Sequence, residues 1–265
     1  MNIYLHELRL YRRSTLIWTF SIMLLIFFMI AMFPGFAKDA AQMQKLLKGY
    51  PEAVRKAIGL DISLITSFLG FYSFTFLYVM LCAAIQAMNL GTSLLSMEIR
   101  EKTADFLLTK PVTRRQILTA KLLAGLTSLL FTNIFFVGTA SITASVLVEE
   151  AYSKKIFLLL SLTVVLVQLM FMALGVLVSV VVPKIKSVLS ISLGTVFGLF
   201  VINLFGSIIG DEALRYITPF RYYDTMYIIK NGTYEIPFVL TEIAFIAAAT
   251  TASYVLYARK DINPL

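Results

Sequence analysis

Six long stretches of this chain contain no Asp, Glu, Lys or Arg: Ser14–Ala37, Ile62–Met97, Leu122–Val148, Ile156–Pro183, Ser187–Gly210, and Ile236–Ala258 apart from Glu242. A helix needs about 20 mostly apolar residues to cross the hydrocarbon core of a bilayer, so each stretch is long enough for one crossing. Ile62–Met97 is too short for two crossings with a turn and reads as one span with polar ends. The runs are continuous rather than alternating, which excludes a transmembrane β-barrel. The pattern predicts an all-α integral membrane protein with six transmembrane helices. They fall at about residues 14–36, 65–90, 118–148, 156–182, 188–210 and 237–258, within a membrane domain 14–258.

The polar segments between the runs have patterns of their own. In residues 1–13, Tyr4, Leu8 and Tyr11 repeat at helical spacing, with Glu7, Arg9, Arg12 and Arg13 mostly elsewhere on the wheel. This predicts an amphipathic interfacial helix that lies flat before turning into span 1 near Ser14; a ragged end of the first helix is the alternative. Residues 38–61 predict two short surface helices interrupted at Gly49-Tyr50-Pro51, since Pro51 suits a new first turn. The four residues Pro183–Lys186 between spans 4 and 5 predict antiparallel neighbours. Residues 259–265 form a terminal tail.

The most charged stretch lies between spans 2 and 3, from Met97 to Lys121. Residues 98–108 can form a short helix with Ile99, Thr103, Phe106 and Leu107 near one side. Pro111 stops it, because the residue before proline avoids the helical region. Thr113 is then a candidate N-cap for a helix running through Gln116 into span 3. A solvated loop with basic anchors is the plainer alternative.

Composition agrees with a membrane setting. Of 265 residues, 59% are hydrophobic and 14% charged, against about 25% charged in soluble domains. With the termini inside, thirteen of the 23 basic residues fall on the cytoplasmic side, which orients the chain with both termini cytoplasmic. The net charge of +8 fits basic anchors at anionic head groups, and no nucleic-acid motif accompanies it. One cysteine, Cys82, excludes an internal disulfide framework and a cysteine metal cluster. One histidine, His6, leaves neither an HExxH site nor a serine–histidine pair in the spans. No catalytic, cofactor or metal site is therefore expected in this chain.

Within the spans, Gly194–Gly198 and Gly206–Gly210 are two GxxxG spacings in span 5, where close helix packing is the expected use. Glu242 is the single charge inside a span and is expected to snorkel outward or to pair with Arg215 or Arg221. Gln86, Asn89, Asn133, Gln168 and Asn203 are expected to form inter-helix hydrogen bonds. A secondary transporter or channel would usually need several intramembrane charges, and only Glu242 qualifies.

The segment with Glu98, Thr103, Asp105, Leu107, Leu108, Pro111, Arg114 and Lys121 resembles the first cytoplasmic loop of ABC-2-type transporter permeases. Lys102 stands where that family usually has glycine. The likeness extends to six spans, to Tyr50-Pro51-Glu52 in the first outer loop, and to Tyr216, Pro219 and Phe220 before the last span. The resemblance implies the permease subunit of an ATP-driven exporter in the cell membrane. Its partners would be a cytoplasmic ABC ATPase, which holds the ATP and Mg, a second copy or close homologue, and membrane lipids, with no nucleic acid. It implies that the 98–108 helix is a coupling helix docking on that ATPase through Glu98, Ile99, Glu101, Thr103, Asp105, Phe106, Leu107, Pro111 and Arg114. It also implies that span 5 helps form the dimer contact. The apolar, aromatic spans suit an amphipathic or lipophilic cargo, for instance a peptide. No GxxxxGK[ST] run is present, so if transport is driven by ATP, its hydrolysis falls to another chain.

Overall fold

A computed structural model of the chain describes residues 3–57, 64–100, 113–182, 185–210 and 212–259. Among them run helices α1 (Ile3–Lys38), α2 (Ala40–Lys48), α3 (Glu52–Ala57), α4 (Phe68–Arg100), α5 (Arg114–Leu147), α6 (Lys154–Val181), α7 (Val188–Ile209), α8 (Thr225–Asn231) and α9 (Ile236–Arg259). Two 3-10 turns, Ala213–Tyr216 and Pro219–Arg221, lie between α7 and α8. Six helices, α1, α4, α5, α6, α7 and α9, are long and apolar enough to cross a membrane. An even number of crossings returns the chain to the side on which it began, so one end of the bundle is the termini end and the other the distal end.

The expected turn at Ser14 is absent. Residues 3–13 and the first span form one 36-residue helix, about 54 Å long at 1.5 Å per residue. The reason is a single inward stripe that keeps its phase through the whole length: Glu7, Tyr11, Thr19, Ile22, Ile26, Ile30 and Phe33 are all buried. A second expectation also changes. Span 2 does not stop near residue 90 before a separate helix at 98; α4 continues unbroken to Arg100, because Leu94 and Leu95 extend its buried face.

Helix ends are set locally. Thr113 is extended and its hydroxyl accepts from Gln116 N–H, while the Gln116 side chain accepts from Thr113 N–H, a complete capping box at the start of α5. Ser153 and Ser187 cap α6 and α7 in the same position. Glu150 accepts the Phe68 N–H at the start of α4, where a carboxylate also complements the helix dipole.

The core is built on two helix pairs. In the first, α4 crosses α6 at Gly91 and Gly175. A methyl group at Gly91 would lie 2.3 Å from the Met172 carbonyl oxygen, and one at Gly175 would lie 2.7 Å from that of Met88, so here the two backbones touch. Toward the distal end the same pair closes over Phe68, Tyr72, Tyr152 and Phe157, whose rings lie 4.7–5.9 Å apart. In the second pair, α1 lies along α5. A buried polar chain ties the two pairs together. Thr19 Oγ1 meets Thr132 Oγ1 at 2.9 Å, Gln86 Nε2 donates to Thr132 at 2.8 Å, Gln168 Nε2 donates to Gln86 Oε1 at 3.1 Å, and Asn133 Nδ2 donates to Gln168 Oε1 at 2.5 Å. Interhelical bonds of this kind hold helices where lipid offers no hydrophobic driving force between them.

The outer helices are attached more lightly. Helix α9 leans on α6, and α7 lies mainly against α4 rather than against α6. Spans 4 and 5 are therefore not the close neighbours that their short connection predicts. Phe220 explains the separation, since its ring sits 5.2 Å from that of Phe171 on α6 and 5.6 Å from that of Phe200 on α7.

Candidate functional site

Three places in the bundle could carry function: the termini-end edge beside the segment between α4 and α5, a cavity at the distal end, and the exposed faces of α7. At the termini end, the sequence places a charged segment between two long helices, and both flanks are described. Glu98 and Ile99 lie in the last turn of α4, as backbone only. Glu101, Thr103, Asp105, Phe106, Leu107 and Pro111 lie outside the described residues, as does most of the 98–108 helix.

The far flank is held at three points. Arg114 Nη1 donates to the Tyr257 carbonyl at 3.3 Å, and so supplies a donor to one of the last carbonyls of α9, which have no partner within their own helix. Thr119 and Tyr254 share a hydroxyl contact of 2.7 Å one turn further in. Lys121 Nζ then forms an ion pair with Glu7 Oε1 at 2.8 Å, with the two side chains only 2% and 4% exposed. Breaking such a pair from one side leaves a buried charge and costs about 3–5 kcal/mol. The start of α5 is thereby fastened to α1 and α9 at once.

Sequence reading missed the Glu7–Lys121 pair. It placed Glu7 on the polar face of a surface helix, although Glu7 and Tyr11 share the buried stripe. The usable signal was a lysine one residue before a charge-free run and an isolated acid among apolar residues in the chain's other basic segment.

At the distal end, the chain from Glu212 to Met226 folds back between the helices. Thr218 Oγ1 donates to the Leu199 carbonyl at 3.0 Å, ten residues or about 15 Å before the end of α7. Pro219 and Phe220 are buried there, whereas Tyr216 of the same motif stays exposed. Behind this element is a cavity of 420 Å³. Its walls are apolar at Phe76, Met80 and Phe220 and polar at Ser73, Asn203 and Ser207; Glu212, Arg215, Arg221 and Asp224 also line it. Such a space could accept a molecule with one apolar and one polar end.

Glu242 does not snorkel, and the hydrogen bond it accepts comes from a tyrosine rather than an arginine. It is 2% exposed, and the donor is the Tyr223 hydroxyl. Arg215 is engaged elsewhere: its guanidinium reaches Glu235 at 2.6 Å and lies 4.0 Å above the Phe238 ring. Burial pushes the Tyr223 phenol well above its ordinary range, and the bond to Glu242 raises it further, so this hydroxyl keeps its proton. Burial and then the charge of Glu242 push Tyr234 up to about 12.

The four glycines of span 5 separate into two kinds. At Gly194 and Gly198 an added methyl would meet nothing within 4 Å, and both are exposed. Gly206 instead faces its own chain, with Arg221 Nη1 2.7 Å from the methyl position. Gly210 is the C-terminal cap of α7 at φ 74, a left-handed conformation that glycine adopts without strain. In the second GxxxG, therefore, Gly206 is an internal seat and Gly210 a helix stop. The contact glycines that sequence reading passed over are Gly91 and Gly175, which stand singly in different spans.

Among the described residues no group of three or more His, Cys, Asp or Glu could hold a metal ion. Over residues 1–262 the sequence matches the family model described as ABC-2 family transporter protein. No curated protein matches the chain.

Proposed function

This chain belongs to the ABC-2 transporter family, and on that premise we propose that it is the permease subunit of an exporter driven by a separate ABC ATPase. The family makes it a multi-pass transmembrane component of an ABC transporter, in a class that associates with an ABC ATPase. The proposal goes further in direction, cargo and assembly. ATP and Mg bind in the partner, the termini end faces the cytoplasm at the plasma membrane, and two copies, or this chain and a close homologue, form the pathway. The cargo is amphipathic or lipophilic, in keeping with the mixed lining of the distal cavity.

The observation that carries this reading is the clamped edge beside residues 101–112. Thr113 fixes where α5 begins, Arg114 ties that point to α9, and Lys121 ties the next turns to α1 through a buried charge. A push delivered to the start of α5 is passed to three spans, α5 itself, α1 and α9. In the proposed complex Ile99 and Phe106 are the apolar anchors on the ATPase, and Glu98, Glu101 and Asp105 face its basic residues, with Thr103 and Leu107 beside them. Apolar anchors carry most of the energy of such contacts, with hot spots of about 2 kcal/mol or more.

The test is co-purification with the ABC ATPase, followed by ATP turnover and transport in proteoliposomes. Phe106→Asp is expected to lose the partner, and Asp105→Asn to weaken it less. Pro111→Ala and Arg114→Ala are expected to keep the partner yet let hydrolysis run without transport. A Phe106→Asp variant that co-purifies and transports normally would remove the coupling role.

A further inference from the structure

A second cavity lies at the termini end, between α1 and α4. It measures 220 Å³ and is lined by Tyr11, Ser14, Thr15, Gln86, Asn89 and Ser93, with Trp18 one turn beyond Ser14. Its depth follows from the sequence. Ser14 comes directly after Arg12 and Arg13, which are exposed and mark the head-group level. Gln86 reaches Thr132, which meets Thr19, six residues or about 9 Å below Arg13 on α1, and Asn89 is almost one turn nearer the termini end than Gln86. The cleft thus starts at the head groups and reaches into the upper acyl region of the leaflet on the termini side. Leu10 and Ser14 at its edge are exposed, so it opens sideways.

Its chemistry is polar but uncharged. Gln86 is already engaged with Thr132 and Gln168, and the Ser93 hydroxyl donates to the Leu90 carbonyl. Asn89 is half-buried, and its amide has no hydrogen bond to another described residue. An amide facing hydrocarbon with neither donor nor acceptor satisfied is costly, so an apolar chain alone is a poor occupant. A free ion is a poor one too, because the lining holds no counter-charge. What matches is a group with neutral donors and acceptors, held at this depth by an apolar tail on one side and a head group on the other.

We propose that this cleft binds the uncharged linkage region of a membrane amphiphile, the glycerol ester, amide or sugar hydroxyls beside its head group. Asn89 and Ser14 make the hydrogen bonds, and the tail lies along exposed Ile17 and Leu24 of α1. The same chemistry is offered by a resident bilayer lipid and by a transported amphiphile. The proposal rests on the membrane placement of the spans, and only the second source leans on the exporter reading.

The full chain, in vesicles of phosphatidylethanolamine and phosphatidylglycerol, is illuminated with a phosphatidylethanolamine carrying a photoactivatable group next to its glycerol ester. Adducts are mapped by peptide mass spectrometry. They are expected to concentrate at residues 10–18 and 86–93, and to fall several-fold in Asn89→Leu, while labelling of the exposed α9 residues Leu240 and Ile243 is unchanged. Ser14→Phe, at an exposed position, fills the cleft without touching the Gln86 network and should give the same loss. Labelling spread evenly over the lipid-facing surface, or untouched by Ser14→Phe, overturns the proposal. Repeating the labelling with the ATPase-bound complex under ATP separates the sources: a resident lipid keeps its adduct, and a transported amphiphile loses it.

Discussion

Glycine does opposite work in two parts of this bundle. Gly91 and Gly175 stand singly in α4 and α6, and between them two backbones meet with no room for a methyl group. Gly194 and Gly198 stand at GxxxG spacing in α7, and nothing of their own chain comes within reach of a methyl there. The burial of the helices follows the same division. In their most apolar windows α4 and α6 are 67% and 61% buried, whereas α7 and α9 are 22% and 17% buried. The lesson is that spacing within one helix describes a surface and not its partner. A close crossing needs only one small residue on each side, and those two residues can be 84 positions apart with no local pattern to announce them.

The sharpest way to break this comparison is at the crossing. Gly91→Leu or Gly175→Leu should prevent a stable bundle from accumulating, because backbone carbonyls cannot move aside as side-chain ends do. Even Gly175→Ala should cost about 1–3 kcal/mol, read as a lower thermal midpoint in detergent. Normal yield and midpoint for the leucine variants would mean that α4 and α6 do not touch as described.

Next in size is the buried charge pair that joins α1 to α5. Lys121→Met alone should destabilise the fold by about 3 kcal/mol, and Glu7→Leu combined with it should recover much of that loss. A double variant no better than the single one would place the cost elsewhere than in an unpaired Glu7. Gly206→Ala should have a smaller effect, about 1 kcal/mol, since the atom in its way is the end of the flexible Arg221 side chain. Its readout is the accessibility of the 212–226 element to proteolysis. Smallest for the protomer are Gly194→Leu and Gly198→Leu, expected within about 0.5 kcal/mol of the parent. If α7 forms the proposed contact between copies, the same two variants will shift the dimer toward monomer in cross-linking. An unchanged dimer places these glycines on lipid.

The spans could be read from the sequence because charge is so costly in hydrocarbon that a charge-free apolar run of about 20 residues marks a crossing. The start of α5 was legible for a local reason: Thr113 and Gln116 satisfy each other across one turn, and both lie in the same short stretch. The course of α1 was not legible. The pattern of Tyr4, Leu8 and Tyr11 shows an amphipathic helix but cannot say whether its apolar side meets lipid or α5. That is settled by Lys121, more than a hundred residues away. Glu242 was misjudged for a similar reason, since its partner Tyr223 comes from a folded-back segment whose depth no periodicity records. The residues expected to couple to an ATPase lie mostly in 101–112, outside the described residues.

The pairing of Glu7 with Lys121 also bears on how the protein is made. The two are separated by 114 positions, and the chain emerges from the ribosome N-terminus first. Glu7 lies about 7.5 Å to the aqueous side of Arg12 on the same helix, so while α5 is still unmade its carboxylate stays hydrated, and a lone buried charge is costly. The first turns of α1 can be taken out of water only once Lys121 arrives with α5. Nascent chains ending before Lys121 should therefore leave the start of α1 open to solvent, so the N-terminal span is the first to enter and its first turns are among the last to find their seat.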